Sequence, residues 1–261
     1  MPSWLVCRAL AALKALSSGP FLGLTLAFLT LTANPCAADD LSDFNTAVEQ
    51  FASHNRGAIG YLRTGNEELA AVEVTRMNAS WVDVMRRFGS KPPAAFRDSP
   101  RYAQTLSEVQ KSIADAVALV GAGKADAFDS ARTDSLRNSL QSIREQLSTM
   151  RKEGRVSVLA DCVLEANGAM SDLFAFEDTA PDFSKPDLAN KANTLGAIIK
   201  RCDDTADAAT RDSPEFRRLI DGTLNSLTFI PKVIETHDRD LLTRVIGELR
   251  AFDNLLVFRF G

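Results

Sequence analysis

The sequence predicts an all-α protein built as two tandem antiparallel four-helix bundles that arose by internal duplication. Three observations predict it. Apolar residues recur at spacings of three and four along nearly all of the chain from residue 41 onward, and Val, Ile and Thr nowhere alternate as a half-buried strand requires. The segment Arg97-Asp98-Ser99-Pro100 returns as Arg211-Asp212-Ser213-Pro214, 114 positions on (211 − 97). Apolar type is kept at that offset on both sides of the motif. Tyr102, Leu106, Ile113 and Val120 correspond to Phe216, Ile220, Leu227 and Ile234, and Trp81, Val84 and Met85 to Leu195, Ile198 and Ile199. Further on, Leu136-Arg137 matches Leu249-Arg250 at 113 (249 − 136), so one loop is a residue shorter.

Residues 1–38 read as a secretory signal. Arg8 and Lys14 give a basic start, Phe21 to Ala33 is an apolar run, and Cys36-Ala37-Ala38 puts small residues before Asp39. The apolar run spans roughly 20 Å as a helix, short of the ~30 Å hydrocarbon core of a bilayer. Pro35 fits a lipid-attachment site at Cys36 poorly, so removal after Ala38 is the expectation. No later segment is long and apolar enough to anchor the chain. The protein is then exported, and periplasmic if its source is a Gram-negative bacterium. Taking Arg8 and Lys14 from the 30 basic residues leaves 28 against 34 acidic ones, a net charge of −6. With no basic stripe, that charge speaks against nucleic acid as a partner.

The first bundle is placed at 39–153 and the second at 154–261. A first helix over about 41–63 carries Phe44, Val48, Phe51, Asn55, Ile59 and Leu62 on one seam, and Gly65 is free to end it in the left-handed conformation. A second, about 67–88, buries Ala70, Val74, Met77, Trp81, Val84 and Phe88; Met77 and Trp81 at that spacing are core residues rather than a cofactor box. Lys91-Pro92-Pro93 forces a connection. The third helix is predicted over 100–120, with Asp98 or Ser99 as its cap and Pro100 as its first residue, because proline lacks only an amide that would be orphaned there anyway. Asp212, Ser213 and Pro214 play the same part in the second copy. A fourth helix, about 125–152, carries Phe128, Leu136, Leu140, Ile143 and Leu147, and Gly154 either separates it from the fifth or lies in a bent helix that continues through.

The fifth helix, about 155–177, carries Leu159, Val163, Ala166, Met170 and Leu173. A loop containing Pro181 leads to a restart at Ser184 and Pro186. Helices seven (about 214–236) and eight (about 239–260) follow. Pro231 lies inside the seventh and should kink it, which can open a pocket beside Phe229. The end of the eighth, Phe252 to Phe260, is apolar nearly all round and is either buried between the bundles or presented to a partner. A solenoid of helical hairpins is the competing architecture, but its repeat would be about 34 residues rather than the spacing seen here.

Cys162 lies roughly 21 Å from the end of helix five and Cys202 roughly 24 Å from the start of helix six at 1.5 Å per residue. The two therefore come level on antiparallel neighbours, which favours a disulfide over two buried free thiols. Asn55 interrupts an apolar seam and serves either to fix register or to touch a ligand.

No catalytic or metal-ligating pattern stands out. His54 and His237 occupy non-equivalent places, and no His-x-x-x-His or Glu-x-x-His pair occurs. The acidic groups Asp203, Asp204, Asp207 and Glu235, Asp238, Asp240 read as solvated charge rather than a cation site. In arrangement, the signal followed by four amphipathic helices, the last ending in Met150-Arg151, resembles the cytochrome c-prime type of exported four-helix bundle. That family attaches haem through Cys-x-x-Cys-His on the last helix; this chain has Ile143-Arg144-Glu145-Gln146-Leu147 there and Leu255-Leu256-Val257-Phe258 in the second copy. The resemblance is architectural, implies a haemless duplicate, and carries no cofactor across. The expected function is that of an exported binding or interaction protein that uses a bundle face or the groove between bundles and performs no catalysis. A noncovalent haem or metal carrier using His54 or His237 is the alternative, and an enzyme comes last.

Overall fold

A computed structural model describes residues 35–121, 130–178, 183 and 186–261. The chain is all-α, with no strand among the described residues. We number the helices α1 (Pro35–Arg63), α2 (Glu67–Phe88), α3 (Tyr102–Gly121), α4 (Ser130–Glu153), α5 (Leu159–Asp178), α6 (Asp187–Thr205), α7 (Ala208–Arg211), α8 (Pro214–Leu227), α9 (Ile230–Thr236) and α10 (Arg239–Phe260), with a 3-10 turn at Ala94–Phe96. None of them is long and apolar enough to cross a membrane. Residues 1–34, Phe128 and Pro181 lie outside the described residues, and α1 begins four residues ahead of the expected new start at Asp39.

Neighbour order explains the two cores. Helix α1 packs on α2, α2 on α3, α3 on α4 and α4 back on α1, while α5 packs on α6, α6 on α8, α8 on α10 and α10 back on α5. Each circuit closes on itself, as an open solenoid would not. The first circuit surrounds one apolar cluster that includes Phe44, Phe51, Trp81, Phe96, Leu106 and Ile143; the second surrounds another that includes Met170, Leu195, Phe216, Ile220 and Leu249.

Helix α2 has the bounds and the buried residues that its periodicity predicts, Ala70 through Phe88. Its start is set by Asn66, whose side chain accepts a hydrogen bond from the Leu69 amide. The turn before it closes α1 with Gly65 at φ +71°, taking the amide of Asn66 to the Tyr61 carbonyl.

The Pro-containing motif works differently in its two positions. Ser213 caps α8 by accepting from the Phe216 amide at 3.3 Å, with Pro214 at the first turn, whereas Asp212 ends the short α7 instead of starting α8. The third helix does not begin at Pro100. Regular helix starts at Tyr102, whose amide reaches the Ser99 backbone carbonyl at 3.3 Å, so neither the Asp98 nor the Ser99 side chain serves as cap. Tyr102 is held there by its hydroxyl, which donates to the Phe88 carbonyl at 3.1 Å, and by stacking on Phe96. The seventh predicted helix is not one kinked helix but two, α8 and α9. Pro231 supplies no amide and excludes the helical carbonyl four residues back, so the chain turns at Thr228 and Phe229 before restarting.

The helix does not continue through the junction: α4 ends at Glu153 and α5 begins at Leu159, with Arg155 in the left-handed region at φ 55° and the Val156 amide closing onto the Arg151 carbonyl. Gly154 is small because a Cβ there would sit 2.4 Å from the Phe96 ring, which is fully buried and has nowhere to move. Gly154→Ala is accordingly expected to destabilise the protein by about 1–3 kcal/mol in urea unfolding. Gly60→Ala, which meets the 38% exposed Phe258 ring, should cost less because that ring can swing into solvent.

Asp253 on α10 is 4% exposed and accepts one bond, from Asn167 on α5 at 2.7 Å. Burial pushes its pKa up to about 6, against the opposing pull of that bond and of Arg63 on α1. An acid whose folded pKa lies above its unfolded value favours the folded state when protonated. That stability is full below about pH 4 and is lost as the pH rises through the folded value. Asp253→Asn is therefore expected to stabilise the protein by about 1–3 kcal/mol near pH 8 and to change little below about pH 4. Urea midpoints at the two pH values measure the difference.

Candidate functional site

The two helical sets meet along α1 and α10. Arg63 donates to Asn254 at 2.6 Å, Phe258 lies over Gly60, and Arg56 on α1 donates to the Gly261 backbone oxygen at 3.1 Å. Covalent connection comes through the α4–α5 junction, where Arg151 and Asp161 form a two-point ion pair with bonds of 2.7 and 2.6 Å. Beside these contacts lies a groove of about 750 Å³ between α1, α4, the start of α5, the end of α6 and the end of α10. The size suits a small organic ligand.

Its walls are mainly apolar, with Leu41, Val48 and Ala52 from α1, Ile143 and Leu147 from α4, and Leu159 and Phe260 from the second set. Two buried polar side chains stand out in the lining, Asn55 and Arg144, with a third, Arg56, buried nearby but outside it. Asn55 is 1% exposed; its amide nitrogen donates to the Leu140 carbonyl at 3.0 Å, but its Oδ1 has no partner. The residue thus joins α1 to α4, as the register role expects, and it also lines the groove. Arg56 is buried with its charge balanced by Glu49, and its Nε has no partner.

Arg144 is the unusual residue. It lines the groove at 9% exposure, and its Nε and Nη2 have no hydrogen-bond partner. Among the described residues its one hydrogen bond is from Nη1 to Gln141 at 3.4 Å. Burial and then the nearby charge of Arg56 push its pKa down to about 10, with Glu145 acting the other way; the group remains a cation at neutral pH. Leaving a desolvated guanidinium half-bonded is costly, and a structure tolerates it where something else supplies the acceptor.

Sequence reading did not single out Arg56 or Arg144. Both occupy positions that the heptad-like pattern of their own helix leaves at the edge of the seam, and it is the second set that covers them. A signal was present in the excess of arginine over the carboxylates within reach on α4, but one-dimensional spacing cannot say which arginine is buried.

The residues the sequence proposed as sites are distributed as follows. Cys162 and Cys202 come together, with Sγ atoms 2.17 Å apart and Cα atoms 5.4 Å apart, joining α5 to α6. The two histidines do not meet. His54 engages Glu73 through Nδ1 at 2.6 Å, and His237 is the left-handed residue closing α9, stacked on Phe183. Asp203 pairs with Arg217, Asp207 caps α7 by accepting from Thr210, and Asp238 caps α10 by accepting from Leu241. Among the described residues no three His, Cys, Asp or Glu side chains are gathered in a metal-binding group.

A second groove, about 820 Å³, lies beside Pro231 between α6 and the α8–α9 break, lined by Ala192, Gly196, Leu227, Ile230 and Ile234, with Lys200 and Glu235 among its polar residues. Phe229 points outward, 43% exposed, and is not among its lining residues. No buried unpartnered polar side-chain atom of the described residues lines this second groove. Comparison with protein families, with curated proteins and with solved structures finds no match to the chain.

Proposed function

We propose that the protein is an exported, non-catalytic binding protein whose ligand site is the groove between its two helical sets. The observation that carries this reading is the groove itself: apolar walls of ligand size around buried polar atoms, Asn55 Oδ1 and Arg144 Nε and Nη2, that the protein leaves without partners. Binding fits these residues better than catalysis: the one hydroxyl–carboxylate hydrogen bond within the described lining, Thr210 to Asp207 at 2.8 Å, belongs to the cap of α7, and no histidine lines the groove. Two related sets of helices with a seam between them would follow naturally from duplication of a single bundle. The short helical turns at Ala94–Phe96 and Ala208–Arg211 support that history, since they start 114 positions apart (208 − 94).

Export is part of the same proposal. Removal after Ala38 would leave α1 starting at Asp39 and Asp40, placing two carboxylates where the helix dipole favours them. The test is to express the full chain, recover the exported form, and measure intact mass under native and denaturing conditions together with a visible spectrum and metal content. The expected result is a chain beginning at Asp39 that carries a small organic molecule released on denaturation. A Soret band or stoichiometric metal would instead favour the carrier alternative, and a chain that stays empty in a cell extract would contradict the binding reading.

A further inference from the structure

Resting on the groove reading, we infer that the ligand is a monoanionic acid with an apolar body, its carboxylate held by Arg144. The charges around the groove decide the sign and number. Arg56 is balanced by Glu49 and Arg151 by Asp161, while Asp207 is committed to capping α7. Arg144 is the cation of the groove lining left without a carboxylate partner among the described residues.

Its Nε and Nη2, the two unpartnered donors, form one edge of the guanidinium plane, the edge that a carboxylate meets with two parallel bonds; both are shut off from solvent in the empty protein with Gly261 against Nη2, so the carboxylate reaches them as Gly261 gives way. One such edge matches one monoanion; a doubly charged phosphate would call for a second unpaired cation, and Arg56 is already shared with Glu49 and the Gly261 oxygen. Asn55 Oδ1, an acceptor, suits a ligand hydroxyl or a protonated acid oxygen nearby. The apolar body follows from the walls: Leu41, Val48, Ile143, Leu147, Leu159 and Phe260 offer surface that a small hydrophilic acid such as acetate would leave wet. Free fatty acids and aromatic acids share this chemistry.

The experiment uses the protein recovered without ligand, titrated by calorimetry with decanoate, decanol, decylammonium and benzoate. Decanoate and decanol differ only in the head group, so their ratio reads the anion site with the apolar contribution held constant. The expected result is that decanoate binds about tenfold or more tightly than decanol, that decylammonium does not bind, and that benzoate against decanoate separates aromatic from aliphatic sources. Arg144→Gln should abolish the preference for decanoate and leave decanol binding in place. Because that variant removes a buried cation, the wild-type ratio of decanoate to decanol stands as the test that does not depend on its folding. Equal affinity for decanoate and decanol would overturn the carboxylate assignment while leaving the groove as a binding site. Binding of none of the probes would overturn both, and would assign the counter-charge of Arg144 to the chain itself.

Discussion

Asp161→Ala is expected to destabilise the protein by about 3–5 kcal/mol, the range for stripping one partner from a buried ion pair. Arg151 and Asp161 are 7% and 11% exposed and meet through two parallel bonds. Removing the carboxylate leaves a guanidinium that is only 7% exposed and cannot lose its proton. The damage extends past the pair. Asp161 lies in the first turn of α5, where negative charge is favoured, and the Arg151 carbonyl closes α4 by accepting from Val156. The pair thus fixes the angle at which the second set leaves the first. Arg151→Met with Asp161→Leu should recover most of the loss, since an apolar pair of similar size needs no charge compensation. A loss below about 1 kcal/mol for Asp161→Ala would mean the pair behaves as an exposed one.

Reducing the Cys162–Cys202 bridge is expected to remove about 3–4 kcal/mol, the loop-entropy value for a sequence separation of 40 residues. The loss should be confined to one half, because the bridge ties α5 to α6 and the core around α1–α4 contains no cysteine. Trp81 makes this readable. It is fully buried in the first core and is the one tryptophan in residues 39–261, so its fluorescence follows the first set while circular dichroism follows both. In the reduced protein the helical signal should begin to fall at lower urea than the Trp81 signal. If the two signals shift together by the same amount, the sets unfold as one unit through the contacts of α1 with α10.

How much of this was legible in the sequence depends on whether a residue answers to its own helix or to a distant one. Helix α2 was legible in full, because its stripe from Ala70 to Phe88 faces a single core and Asn66 and Gly65 punctuate its start. The pairing of Cys162 with Cys202 was legible because two antiparallel helices joined by one loop have their levels fixed by helical rise alone. The third helix start was not: Pro100 and Pro214 carry the same local signal, but Tyr102 has a buried carbonyl to reach and Phe216 does not. Pro231 was recognised as a distortion, yet whether a helix bends or breaks depends on whether its neighbours tolerate a two-residue turn. Arg144 entered the sequence only as part of a stretch lacking a haem motif. Its burial is a product of how α10 and α5 come to lie against α4, which no spacing within 130–153 records.

Chemical-shift mapping of the chain with decanoate tests the central claim most directly. If the groove between the helical sets is the ligand site, the largest shifts will fall on Leu41, Asn55, Ile143, Arg144 and Gly261, which come from α1, α4 and the residue after α10 and all line that groove. Shifts confined to Gly196, Leu227 and Ile234 would place the ligand beside Pro231 instead and contradict the account.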